Sequence, residues 1–125
     1  RAIAIEANAE RSERIGRNAA SFGVSGLRVV TGSAPGVLEG LPEPDAIFVG
    51  GGGSDAGVMD AAVSALKPGG RLVANAVMEA VLLAYQQRLG GSLIRIDISR
   101  AAPVGGMQGW RPAMPVTQWT WVRKD

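Results

Sequence analysis

Glu6 closes the apolar run Ala2-Ile3-Ala4-Ile5 and stands just ahead of a helical pattern. A carboxylate at the carboxyl end of a buried strand lies where doubly wound sheets bind ligands, and its two oxygens can take two adjacent ribose hydroxyls. It serves equally well as a solvated acid favoured by a helix dipole, and position alone does not choose. Thr31-Gly32-Ser33-Ala34-Pro35 ends the next strand-like run. Small residues there let a flat ring lie against backbone N–H groups. Taken alone it reads as an ordinary turn; beside Glu6, at a neighbouring strand end, the ligand reading prevails. The third feature is Gly50-Gly51-Gly52-Gly53, directly after Ala46-Ile47-Phe48-Val49. Four glycines in a row carry an entropic cost on folding. No Gly-Lys-Ser/Thr follows, so this is no phosphate loop, and the spacing of a dinucleotide fingerprint is missing. A flexible turn is the common alternative. The run is read here as a floor that lets a bulky partner approach a reacting group.

The chain has no Cys and no His. Disulfides, a thiol nucleophile, an imidazole base and most transition-metal sites are thereby removed, and no metal site is expected. Thirteen basic residues against eleven acidic ones leave a net charge of +2, too small to argue for nucleic acid. No apolar run is long enough to span a bilayer, so no membrane partner is expected and a cytoplasmic location is the default. A length of 125 residues suits one domain.

The elements that must position these residues follow from periodicity. Residues 2–5 form a strand ending at Glu6, and Asn8 caps a helix over 9–22, with Ile15, Ala19 and Phe22 on its apolar face. Strands are expected over 27–31 and 45–49, with a short helix over 36–40 between them. Ser54 and Asp55 open a helix over 55–66. Lys67-Pro68-Gly69-Gly70 turns into a strand over 71–77, and 79–89 is helical. Residues 92–100 alternate as a half-exposed strand near a sheet edge. Residues 101–114 read as a Gly/Pro-rich loop holding Trp110 and Arg111. The final strand, 115–123, puts Val116, Gln118, Thr120 and Val122 on one side and Thr117, Trp119 and Trp121 on the other. The order predicts an α/β fold: a mostly parallel sheet, helices on both faces, and a C-terminal antiparallel hairpin.

AIEANAERSERIGRNAASFGV, VVTGSAP, LPEPDAIFVGGGG, LKPGGRLVANAV and PVTQW together resemble the precorrin-6 C15-methyltransferase family of cobalamin biosynthesis, within the class I S-adenosylmethionine-dependent methyltransferases. PDAIFVGGG, ANAV and PVTQW are the narrower signals; LKPGG is widely shared. The resemblance implies a Rossmann-like sheet of order 3-2-1-4-5-7-6 and S-adenosyl-L-methionine as methyl donor, with S-adenosyl-L-homocysteine as product. The implied reaction is C15 methylation of a tetrapyrrole with decarboxylation of its ring C acetate.

It further implies that Glu6 and Ala7 hold the ribose, that Gly32, Ser33 and Ala34 contact adenine, and that Gly50 and Gly51 border the methionine end. Gly52 and Gly53 would face the substrate; Asn75, near the end of the fourth strand, serves either to face the substrate or, equally well, to tie down a loop. Arg100 and Arg111 are candidates for its carboxylates, and Trp110 for stacking on its ring; solvated loop arginines and a core-covering Trp explain them equally well. No residue stands out as the decarboxylation catalyst. A homo-oligomer such as a tetramer is implied, as is fusion to or partnership with a second precorrin methyltransferase domain. The family's first strand and glycine-rich loop are expected just before Arg1, making 1–125 one N-terminally truncated domain with a split sheet, unstable and weak in cofactor binding by itself. The alternatives are a methyltransferase acting on tRNA or another small molecule, a nicotinamide-dependent oxidoreductase, and a non-catalytic assembly partner.

Overall fold

The computed structural model describes residues 1–53, 55, 57–76 and 78–125. Ser54 as a helix start, Ala56 within that helix and Val77 as a strand end lie outside the described residues. The chain divides into two compact units, Arg1–Pro42 and Glu43–Asp125.

In the first unit β1 (Ala2–Glu6) pairs in parallel with β2 (Leu27–Thr31), joined through α1 (Ala9–Ser21). Asn8 caps α1 as expected, its Oδ1 accepting from the Arg11 N–H at 2.9 Å, which satisfies one orphan donor of the first turn. The predicted apolar face is the one α1 turns inward at Ile15 and Ala19, both half-buried, but not at Phe22. Ser12 is its buried residue, donating its hydroxyl to the Glu6 carbonyl at 3.2 Å, whereas Phe22 is 81% exposed. Phe22 is the C-cap and has left the helical repeat, so the i, i+7 relation to Ile15 no longer directs it. A 3-10 turn spans Gly36–Leu38, shorter than the helix expected over 36–40.

In the second unit β3 (Ala46–Val49), β4 (Arg71–Ala76), β5 (Ser92–Ile96) and β8 (Val116–Val122) form one sheet of order β3-β4-β8-β5. β3 and β4 are parallel; β8 runs antiparallel to both β4 and β5. β5 takes the edge, as its alternation predicted. Taken without its strand 1, the expected order 3-2-1-4-5-7-6 divides into 3-2 and 4-5-7-6, and two of the three sheets observed have these orders. The class is therefore the α/β, Rossmann-like methyltransferase fold.

Two differences in this unit have local causes. α2 covers Val58–Ala65 rather than 55–66, because Gly57 at φ +80° stands outside helical geometry and sets the start. Residues 99–112 are no loop: β6 (Ser99–Val104) and β7 (Met107–Pro112) pair antiparallel across Gly105-Gly106. Pro103, Gly109 and Pro112 mask the strand pattern, since both residue types weaken strand signals.

Val49, Met59, Ala62, Leu66, Leu72, Ala74, Leu82 and Trp119 make up the core. All its sheet residues share one face in the ladder register, and α2 and α3 (Ala80–Leu89) both cover that face. Within this unit the expectation of helices on both faces is not met. On the other face Phe48, Ile94 and Val122 are 64%, 50% and 44% exposed. No described helix is long and apolar enough to cross a membrane.

Candidate functional site

Each unit presents its candidate residues at the carboxyl ends of its parallel strands. In the first unit Glu6 faces Thr31 in the β1–β2 register, and the Gly32 N–H donates to the Glu6 carbonyl at 3.0 Å. Glu6 and the Gly32-Ser33-Ala34 turn are thus neighbours, as the sequence implied. The Glu6 side chain is held in place. Its Oε1 accepts from the Asn8 N–H at 2.8 Å and from Arg11 Nη2 at 2.9 Å. The Arg11 guanidinium, with the Asn8 N–H second, keeps this carboxyl below its ordinary range, so it is ionised near neutrality. Both close bonds fall on Oε1, which turns Oε2 into the acceptor available to a ligand. Arg11 escaped the sequence reading; its signal was the Glu-Ala-Asn-Ala-Glu-Arg run, which puts a cation one turn into the helix that Glu6 precedes.

Gly32 has an internal reason to be glycine: a Cβ there would collide with a Val37 methyl. Ser33 is exposed and Ala34 half-buried, with the Ala34–Pro35 peptide cis. Ala7 is exposed in the turn between β1 and α1, its N–H a minor contributor to the lowered Glu6 pKa.

In the second unit Gly50 to Gly53, Asn75, Ala76, Met78 and Val116 line an open groove of about 340 Å³ at the ends of β3 and β4. The four glycines differ in why they are glycine. A Cβ on Gly50 would come 2.8 Å from the Phe48 ring, and Gly52 sits at φ +72°. At Gly53 a Cβ would make ordinary contacts with Val49 and Met59, at 3.6 Å each. At Gly51 a Cβ would meet nothing within 4 Å. Internal packing therefore accounts for Gly50 and backbone conformation for Gly52, but neither accounts for Gly51 or Gly53.

Asn75 lines this groove, and its Oδ1 accepts from Gln118 Nε2 at 2.9 Å. Met78 and Val116 were not singled out from sequence; only the β4–β8 pairing brings residue 116 to the end of β4. Arg100, Trp110 and Arg111 do not line it. They sit on the β6–β7 hairpin, where Arg100 faces Arg111 and Trp110 faces Ala101. Strand alternation puts Trp110 on the hairpin face opposite the arginine pair. Trp110 is 73% exposed, so it does not cover a core.

Two carboxylates beyond the groove bind the unit's elements together. Asp60 on α2 accepts from Tyr85 Oη at 2.6 Å and Arg88 Nη2 at 3.2 Å on α3. Glu79 accepts from Arg95 Nη2 at 2.7 Å and Thr117 Oγ1 at 3.0 Å. Tyr85, then Arg88, lowers the Asp60 pKa; Thr117, then Arg95, lowers that of Glu79. A carboxyl whose folded pKa is depressed adds stability that is present above its unfolded value and lost as pH falls through the folded one. With ordinary values of 3.8 and 4.5, that loss begins below about pH 4.5. Melting temperature followed against pH in the full-length protein should fall through this window, and Asp60→Asn should make the acid slope shallower. An unchanged slope would take Asp60 out of the acid response.

Among the described residues no cluster of three potential metal ligands occurs. The profile of the precorrin methyltransferase domain family matches residues 1–123. A precorrin-6Y C(5,15)-methyltransferase (decarboxylating) of Sinorhizobium sp is 70% identical over 125 residues, covering 98% of this chain and 30% of the relative. The chain thus spans less than a third of that protein's length. Among solved structures, the C-terminal domain of a precorrin-6Y C5,15-methyltransferase from Rhodobacter capsulatus is 46% identical, with a TM-score of 0.90, covering 98% of this chain and 68% of that one. A domain of the same designation from Corynebacterium diphtheriae is 43% identical, also at a TM-score of 0.90, covering 97% and 74%.

Proposed function

The chain belongs to the precorrin methyltransferase domain family, and from that premise we propose that it takes part in the C-methylation of precorrin-6Y at C15, with loss of the ring C acetate carboxyl as carbon dioxide. S-adenosyl-L-methionine supplies the methyl group when bound and leaves as S-adenosyl-L-homocysteine. The observation that carries the reading is Gly51, around which the described residues leave space for a side chain, in a groove at the ends of parallel strands.

The residues present fit the methyl donor. In the first unit, Glu6 is ionised and its Oε2 is oriented by the two bonds to Oε1, so it takes a ribose hydroxyl pair. Ala7 flanks it, and the backbone of Gly32, Ser33 and Ala34 lies against adenine. In the second unit Gly50 and Gly51 border the methionine end, while Gly52, Gly53 and Asn75 face the tetrapyrrole rim. Arg100 and Arg111 take substrate carboxylates. Two guanidinium groups directly opposed on paired strands repel one another, and an anion between them removes that penalty. Trp110, exposed on the other hairpin face, stacks on the tetrapyrrole ring.

Methyl transfer to an electron-rich carbon asks the protein chiefly for alignment, and positioning two reactants supplies roughly 7–11 kcal/mol of barrier lowering. The chain contains no imidazole or thiol to act as a base. Residues 1–125 are proposed to be part of one methyltransferase domain in a cytoplasmic homo-oligomer, working with a second precorrin methyltransferase domain.

Calorimetric titration of the full-length protein with S-adenosylhomocysteine tests the reading. Binding is expected, and Glu6→Ala should weaken it about ten- to a hundred-fold, the scale of hydrogen bonds to a charged group. No binding to the parent protein would sink the methyltransferase reading; an unchanged affinity in Glu6→Ala would remove Glu6 from the ribose.

A further inference from the structure

We propose that Gln118 is a positioning residue: it holds the Asn75 amide so that the Nδ2 hydrogens face the groove, where they meet an acceptor oxygen of the tetrapyrrole. The inference rests on the methyltransferase reading above and adds to it how the site orients its substrate.

Asn75 and Gln118 are directly opposed in the antiparallel β4–β8 register and share the sheet face that the core does not use. Gln118 Nε2 donates to Asn75 Oδ1 at 2.9 Å. A carboxamide has one acceptor end and one donor end. With Oδ1 taken by Gln118, Nδ2 is the end left to the groove, and it donates to no protein group among the described residues. The other described lining residues are glycines, Ala76, Met78 and Val116, so among the described residues Asn75 carries the groove's one polar side chain. Its exposed end decides whether this side chain offers the groove an acceptor or a donor. That choice is made by residue 118, which does not itself line the groove. Carboxylate and carbonyl oxygens are the acceptors a tetrapyrrole rim offers, and an N–H donor suits both. Gln118 belongs to Pro-Val-Thr-Gln-Trp, a stretch whose composition explains Thr117 and Trp119 through burial but not a half-buried glutamine.

The test is equilibrium binding of precorrin-6Y to the full-length protein in the presence of S-adenosylhomocysteine, with Gln118→Met, Asn75→Leu and the double variant. Each single change is expected to weaken tetrapyrrole binding about tenfold, with S-adenosylhomocysteine affinity unchanged. The double variant should be no weaker than Asn75→Leu alone, because Gln118 acts only through Asn75. Gln118→Glu, which can only accept, should reverse the Asn75 amide and weaken binding further than Gln118→Met. Unaltered tetrapyrrole affinity in Gln118→Met, or two single effects that add in the double variant, overturns the proposal. A parent protein that fails to bind S-adenosylhomocysteine would instead count against the methyltransferase reading. The contact has its own readout without any ligand: the Asn75 side-chain amide signals in NMR should shift in Gln118→Met, and signals that stay put would overturn it.

Discussion

Valine at position 51 should reduce methyl-transfer turnover about a hundred-fold or more while S-adenosylhomocysteine still binds in part, since misplacing reactants by about 1 Å costs that much. Gly51 is the informative position because the fold has room for a side chain there. A Cβ would meet nothing within 4 Å, and the backbone is not in the left-handed region. A branched side chain would therefore project into the groove that Gly51 lines without disturbing the packing beneath. Its neighbours are poorer probes. At Gly50 a side chain would press on the Phe48 ring, and at Gly52 the positive φ strains any L residue. Single-turnover transfer from labelled S-adenosylmethionine measures the effect, with calorimetry as the control for cofactor affinity. Normal turnover in Gly51→Val would end the argument that the glycine run exists for close approach.

Trp119→Ala should cost about 3–5 kcal/mol, the range for removing a large buried aromatic. That is a substantial fraction of the roughly 5–15 kcal/mol by which domains are stable. Trp119 is fully buried and lies between Tyr85 and Trp121, with ring centroids 5.8 and 6.0 Å away. Its Nε1–H donates to the Gly90 carbonyl at 2.9 Å, so the truncation both opens a cavity and removes a tie to the end of α3. Denaturant unfolding of the full-length protein checks this. A loss below about 1 kcal/mol would mean that the sheet and its two helices do not depend on Trp119. Trp121→Ala, at the partly buried end of the same stack, should cost less.

Much of the fold was legible because it is written in short-range patterns. Alternation over residues 115–123 puts Thr117, Trp119 and Trp121 on one side of their strand, and Thr117 and Trp119 are buried. Asn8 read as a cap and caps. Glu6 and the Gly32 turn were placed together because both end parallel strands, a relation that element order alone supplies. Where the reading departed from the structure, the missing information was local geometry or pairing. The φ of Gly57 decides where α2 starts. The chain's exit from α1 leaves Phe22 exposed, although its spacing from Ile15 is helical.

The hairpin over residues 99–112 and the Asn75–Gln118 contact lie beyond any such pattern. Pro103, Gly105, Gly106 and Pro112 look like loop residues until two strands are seen paired around them. Asn75 and Gln118 are 43 residues apart. Side-chain chemistry and repeat period are properties of a few neighbouring residues, so the sequence by itself determined most of the elements, the acid at the strand end and the position of the glycine run. Ladder register is set by the mutual packing of distant segments. Only the tertiary structure could decide which amide end faces the groove, and that Arg100 stands against Arg111 away from it.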